Sequence, residues 1–234
     1  MRSSSSYKNT NIENHIACIR PEDSPPASLF HSEKKSFFRL CNDQDAYTLP
    51  PWSVVQSLVK TFFRHFGTLN PFLNEQSFLD DTAKAIYASQ CRPKASSLAL
   101  LNMVLAIVCV NGNVSIFPQQ QLARLSEKFY CRARTLYSKF VLPRVNLELG
   151  KNLITAAILA YLTNVPVQTM LLMTQYLQCT ASCAHSWVTH GLAIHSAIQI
   201  GLHVPGFADS CGPEERQSRA RTWQACVVVD RQVP

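Results

Sequence analysis

Apolar residues in this chain recur at helical rather than alternating spacing. After Trp52, the positions Val55, Leu58, Val59, Phe62, Phe63 and Phe66 advance in steps of three and one, which places them on one face of a helix. Leu49-Pro50-Pro51 suits the start of that helix, and Gly67 followed by Asn70-Pro71 suits its end. A shorter helix is expected over about residues 77–88, with Phe78, Ala85 and Ile86 inward. Ser96 and Ser97 are suited to cap an apolar helix over residues 98–110, halted by Asn111-Gly112.

Pro118 opens the clearest amphipathic stretch. Leu122, Leu125, Phe129, Ala133, Leu136 and Phe140 follow one another in steps of three and four until Pro143. Residues 153–162 are apolar on every side except for Thr155, the pattern of a central helix. Pro166 begins another helix through Met170, Leu171, Thr174 and Leu177, and two more are expected over 186–201 and 214–229. No stretch alternates with the strand period and no fixed-period repeat occurs. The reading is all-α: an irregular multi-helix bundle of about eight helices. Residues 1–46, rich in Ser and Asn and broken by Ser24-Pro25-Pro26, read as a flexible polar leader ahead of a folded unit over residues 47–234.

Composition sharpens this picture. Hydrophobic residues make up 47% of the 234, enough for a real core, while charged residues are only 16% and glycines only 7 in number. The net charge of +7 falls entirely after residue 45, since residues 1–45 carry equal numbers of acids and bases. That permits acidic partners without identifying one. Residues 152–208 contain no Asp, Glu, Lys or Arg, yet the longest apolar run is half the length a membrane span needs. Buried helices are expected there, not a membrane segment. The first thirty residues hold no secretory apolar core, and Glu13, Glu22 and Asp23 argue against a mitochondrial leader. The 9 cysteines are odd in number, scattered and free of Cys-x-x-Cys, as expected of reduced intracellular thiols.

Signatures of chemistry are sparse. The chain has no nucleophile elbow, phosphate-binding loop, dinucleotide fingerprint or His-Glu-x-x-His, so no enzyme class is indicated. His185, His190 and His195 are five apart, which turns each ring about 140° from the last and suits packing better than metal ligation. Cys179 and Cys183 are four apart but lack a second ligand pair. Arg124, Lys128 and Arg132, loosely extended by Arg134 and Lys139, form a basic stripe expected to be solvated and able at most to touch phosphates weakly. Arg216, Arg219 and Arg221 make a second cluster behind Glu214 and Glu215, acids that suit the first turn of a helix. Trp187 and Trp223 read as large core fillers, and Gly191 and Gly201 as sites of close helix approach or a C-cap.

From Val167 onward the chain resembles a known family. Val167-Gln168-Thr169-Met170-Leu171-Leu172, with Gln175-Tyr176-Leu177-Gln178, is similar to a motif helix of the fungal-specific transcription factor domain. That domain is the middle regulatory region of fungal zinc binuclear cluster regulators. Trp187, then Gly191-Leu192-Ala193-Ile194 and Ile200-Gly201-Leu202-His203, resembles its next signature. Arg219, Arg221, Trp223, Asp230 and Arg231 resemble its following helix. Leu49-Pro50-Pro51, Asn70-Pro71-Phe72 and Tyr130-Cys131-Arg132-Ala133-Arg134 fit more loosely. The likeness covers roughly residues 48–231. It departs at His195, where the family usually has Arg, at Gln199, where an acid is common, and at Gln224, which replaces an aromatic.

The resemblance implies a nuclear, non-catalytic regulatory domain that acts through protein or effector contacts. The family's DNA binding and zinc reside in a six-cysteine cluster that residues 1–46, with only Cys18 and Cys41, do not supply. No cofactor is therefore expected in this chain. The alternative is a stand-alone helical interaction module, or a decayed regulator fragment, without DNA contact. The sequence stops at Val233-Pro234, where the family continues, so a shortened regulator is expected. Apolar surface should then lie exposed around residues 167–177 and on the last helix, and favour self-association.

Overall fold

The computed structural model describes residues 41–88, 93–112, 117–141, 163–180, 182–204 and 212–232. Among them every regular element is helical. Helix α1 spans Asp43–Ala46 and α2 spans Trp52–Phe66. Helix α3 (Glu75–Ser77) runs through a π-helical stretch, Phe78–Lys84, into α4 (Ala85–Ala88). Then come α5 (Ala95–Val110), α6 (Gln119–Val141), α7 (Val165–Cys179), α8 (Cys183–Gln199) and α9 (Pro213–Asp230). The fold is all-α.

At the centre lies α5. Every residue from Leu98 to Cys109 is buried, including Asn102, whose amide donates to the Leu98 carbonyl within its own helix. An apolar helix with no polar face must be enclosed, and α2, α6 and α7 all pack on it. The stripe foreseen on α6 supplies Leu122, Phe129, Ala133 and Leu136 to this contact layer, and Ser126 Oγ donates to the Ala106 carbonyl at 3.0 Å. Tyr130 of α6 stacks on Tyr176 of α7 with ring centroids 4.4 Å apart. Gly112, with φ of 70°, ends α5 in the left-handed conformation that favours glycine.

Several local expectations are corrected. Helix α5 starts at Ala95 with Lys94 at its cap, so neither Ser96 nor Ser97 caps it. Residues 153–162, expected to form a central helix, lie outside the described residues, as does most of the expected leader. Residues 41–46, at the end of that expected leader, fold as α1 against α6. Ala46 is wholly buried, and the Cys41 amide donates to Thr135 Oγ1 at 3.2 Å.

Helix α7 is the second buried element. Val167, Met170, Leu171, Leu172, Met173, Tyr176 and Leu177 are all enclosed, because α5, α8 and α9 each pack against it. The apolar surface expected to be exposed at residues 167–177 is therefore covered. Exposed apolar side chains sit instead on α8, at Trp187, Val188, Leu192 and Ile198, and on α9 at Val228. No helix among the described residues is long and apolar enough to cross a membrane.

Candidate functional site

Three amide side chains at and along α7 lie on one side of it. Asn164 stands at the N-cap position without a side-chain capping bond, and Gln168 and Gln175 follow at steps of four and seven. Asn164 Nδ2 donates to Ser218 Oγ of α9 at 2.7 Å. Gln168, 4% exposed, donates through Nε2 to the Phe72 carbonyl at 3.1 Å and to Thr222 Oγ1 at 3.2 Å. Gln175 Nε2 donates to Asn70 Oδ1 at 2.8 Å, and Asn70 in turn donates to the Phe66 carbonyl. Buried amides need such partners, so each fixes a register between α7, α9 and the turn after α2.

Helix α9 is tied to the end of α8 by a charged group. Arg219, 6% exposed, donates from a terminal guanidinium nitrogen to the Ile200 carbonyl at 2.7 Å. A cation on the last carbonyls of a helix satisfies an orphan acceptor and opposes the negative end of the dipole. Gly201, with φ of 69°, turns the chain there. Leu202 is buried, and the exposed His203 ring lies 5.8 Å from Trp223.

Farther along the same interface, His190 is buried, with Nε2 3.4 Å from Asp230 Oδ1. Neither ring nitrogen reaches hydrogen-bond geometry. Burial pushes the His190 pKa below its ordinary value, and the Asp230 carboxylate pulls it partly back.

Between these elements opens a cavity of about 550 Å³. Its walls come from α3 and the turn before it, the π-helical stretch, the start of α7 and the first half of α9, with Leu100 of α5 joining them. Polar and apolar groups share the lining about equally, with Asn74, Asp80, Gln168, Glu214, Ser218 and Arg221 among the polar ones. Asn74 caps α3 by accepting from the Ser77 amide, and Asp80 pairs with Lys84 at 2.6 Å. The hydrogen bond from Lys84 holds the Asp80 carboxyl below its usual range.

The motif residues singled out from the sequence thus divide. Gln168, Leu171, Tyr176, Ala193, Leu202 and Arg219 are buried at helix contacts, and Gly201 forms a turn. Trp223 is half-buried beside His203, Arg221 half-buried at the cavity, and Asp230 exposed beside His190; Arg231 is exposed. Trp187 is no core filler: 64% of its surface is exposed. Gly191 allows no close approach, because a Cβ there would meet nothing within 4 Å.

The basic stripe is also shorter than expected. Arg124 and Lys128 are exposed, but Arg132 is 4% exposed and lies over the Phe129 ring, near Cys41 and Asp45. Its packing beneath the segment that carries α1 removes it as a phosphate contact. Lys139 lies in α6, but its side chain is outside what is described.

Zinc finds no fit among the described residues. No three His, Cys, Asp or Glu side chains converge, and Cys179 and Cys183 are both exposed without further ligands. Burial pushes the thiols of Cys109 and Cys226 up to about 11 and about 12, as expected of packed neutral groups and not of metal ligands.

The profile of the fungal specific transcription factor domain matches residues 59–233. The chain belongs to that family. Sorbicillinoid biosynthetic cluster transcription factor 2 of Penicillium rubens is 25% identical over 198 residues, covering 82% of this chain and 26% of that protein. Transcription factor FBD3 of Gibberella moniliformis is 25% identical over 183 residues, 78% of this chain and 22% of its own. The acetamidase regulatory protein of Aspergillus fumigatus is 24% identical over 190 residues, 80% and 21% of the two chains. This fungal transcription factor domain spans about a quarter or less of the length of these relatives, which are transcription regulators and not enzymes. No solved structure matches it.

Sequence reasoning missed Asn164, Ser218, Thr222 and the cavity they border. A signal existed. Asn164 and Gln168 are one turn apart at the start of an uncharged helix, and Ser218 and Thr222 are one turn apart on another helix. What no spacing could show is that the two pairs face each other.

Proposed function

We propose that this chain is the regulatory domain of a nuclear transcription regulator, and that it works through protein or effector contacts instead of touching DNA. DNA reading and zinc belong, in this reading, to a separate cysteine-cluster module of the regulator, and these residues hold no cofactor and perform no catalysis. The observation that carries the proposal is the outward apolar side of α8, inside a family motif segment. Trp187, Val188, Leu192 and Ile198 recur there in steps of one, four and six along an exposed helix. Exposed aromatic and aliphatic groups grouped on one element favour protein contact, and aromatic side chains dominate binding energy at interfaces. Among the described side chains of the basic stripe only Arg124 and Lys128 are exposed, which is little for phosphate binding.

The test tethers the whole chain to an unrelated DNA-binding module upstream of a reporter in a fungal cell. The tethered chain is expected to change reporter output, and the double variant Trp187→Ser, Leu192→Ser to lose most of that change. Unchanged output with the unsubstituted chain would overturn the reading. So would sequence-selective binding of the chain to duplex DNA at physiological salt.

A further inference from the structure

We propose that the cavity between the π-helical stretch, α7 and α9 is an effector site for a small zwitterion of about dipeptide size. The proposal rests on the regulatory reading above and names its ligand. A cavity of about 550 Å³ lies within the range of small-molecule sites. Three features of its walls define the chemistry.

The first is charge. Asp80 is already paired with Lys84, which leaves Glu214 and Arg221 as the lining's opposite charges. They are seven residues apart on α9, on the same side and about 10 Å apart along the axis. Two residues of extended chain span about 7 Å, and the Glu and Arg side chains supply the rest. A phosphorylated ligand would meet two carboxylates and a single guanidinium. A hydrocarbon would leave both charges without a partner. A zwitterion answers each, its carboxylate on the planar fork of Arg221 and its ammonium on Glu214.

The second feature is the polar belt between the charges. Ser218 of α9 and Asn164 and Gln168 of α7 all line the cavity. The amide nitrogens of Asn164 and Gln168 are engaged in the helix contacts above, so their carbonyl oxygens accept from, and the Ser218 hydroxyl donates to, a peptide unit, which offers one donor and one acceptor. Phe72, Phe78 and Leu100 add apolar wall for a short side chain.

The third is the wall itself. The seven-residue π-helical stretch supplies Asp80, and π-helical turns inside α-helices are rare and concentrated at functional sites. A ligand bridging this stretch and α9 would bind only the arrangement in which α9 is docked on α7, and so would bias that docking.

Isothermal titration of the 234-residue chain with alanyl-alanine, alanyl-glutamine and alanyl-phenylalanine tests the site, beside the N-acetylated and C-amidated form of each. At least one free dipeptide is expected to bind, and both of its blocked forms to bind more weakly. Arg221→Met and the exposed-site variant Glu214→Gln, each shown by circular dichroism to melt as the parent does, should weaken binding about 10- to 100-fold. No heat from any of the three dipeptides at millimolar concentration would overturn the proposal. So would blocked forms that bind as well as the free ones, or variants that bind as tightly as the parent. If the tethered chain still drives the reporter while no dipeptide binds, only this inference fails. If the reporter is silent as well, the regulatory reading fails with it.

Discussion

Helices α7 and α8 follow one another in the chain, share the same lack of charge, and meet opposite fates. Helix α7 hides nearly all of its side chains, whereas α8 turns Trp187, Val188, Leu192 and Ile198 to solvent. Their neighbours make the difference. Among the described residues three helices pack closely on α7, while α8 packs chiefly on α7 and on α9. Uncharged sequence therefore measures how a helix can be buried and not whether it is. The apolar side that a helix leaves uncovered is where a regulatory domain has surface to offer.

The largest break in this comparison comes from equal truncations of its two sides. Leu171→Ala removes a wholly buried side chain and should cost about 2–5 kcal/mol in urea unfolding of the chain. Leu192→Ala makes the same chemical change on the open side of α8 and should stay within about 0.5 kcal/mol. Equal losses would mean that α8 is covered in solution.

Next in size is the tie between the two sides. Arg219→Met keeps much of the side-chain volume and removes the donor to the Ile200 carbonyl. It should cost about 1.5–3 kcal/mol, the range for hydrogen bonds from charged groups. A change below about 0.5 kcal/mol would show that the last carbonyls of α8 are satisfied without it.

These contrasts also mark what the sequence could say. Helical spacing located α2, α6, α7, α8 and α9, because a one-sided or fully apolar pattern with Pro and Gly at its ends is a local property. Gly201 was readable as a C-cap for the same reason. Burial of Arg132 and exposure of Trp187 were not readable, because each depends on what lies opposite: α1 sits over the first and nothing described sits over the second. The family motif singled out Gln168, Arg219 and Arg221, but their surroundings, at Phe72, Ile200 and the cavity, are distant in sequence.

A smaller effect should follow pH through His190. Burial makes its protonation harder in the folded chain than in the unfolded one, so its folded pKa lies below the ordinary 6.5. The stability supplied by the neutral ring is complete above the unfolded value. It is lost as pH falls through 6.5 toward the lowered folded value, because the unfolded chain takes the proton first. Asp230 opposes the shift and softens the loss. Melting temperature between about pH 7.5 and 5.5 should therefore fall more steeply for the parent chain than for His190→Gln. Parallel slopes would remove His190 as the cause.

The smallest effect on stability should carry the largest consequence for contact. Trp187→Ser removes an aromatic ring that is 64% exposed and should shift unfolding free energy by no more than about 0.5 kcal/mol. If α8's outer side is contact surface, the same change should weaken self-association or partner capture, because Trp is among the side chains enriched at binding hot spots. Sedimentation of parent and variant at matched concentrations separates the two roles. An unchanged melting curve with reduced association assigns Trp187 to contact. A lowered melting curve would place the ring in the fold after all, and α8 would then resemble α7 more closely than its exposed side chains indicate.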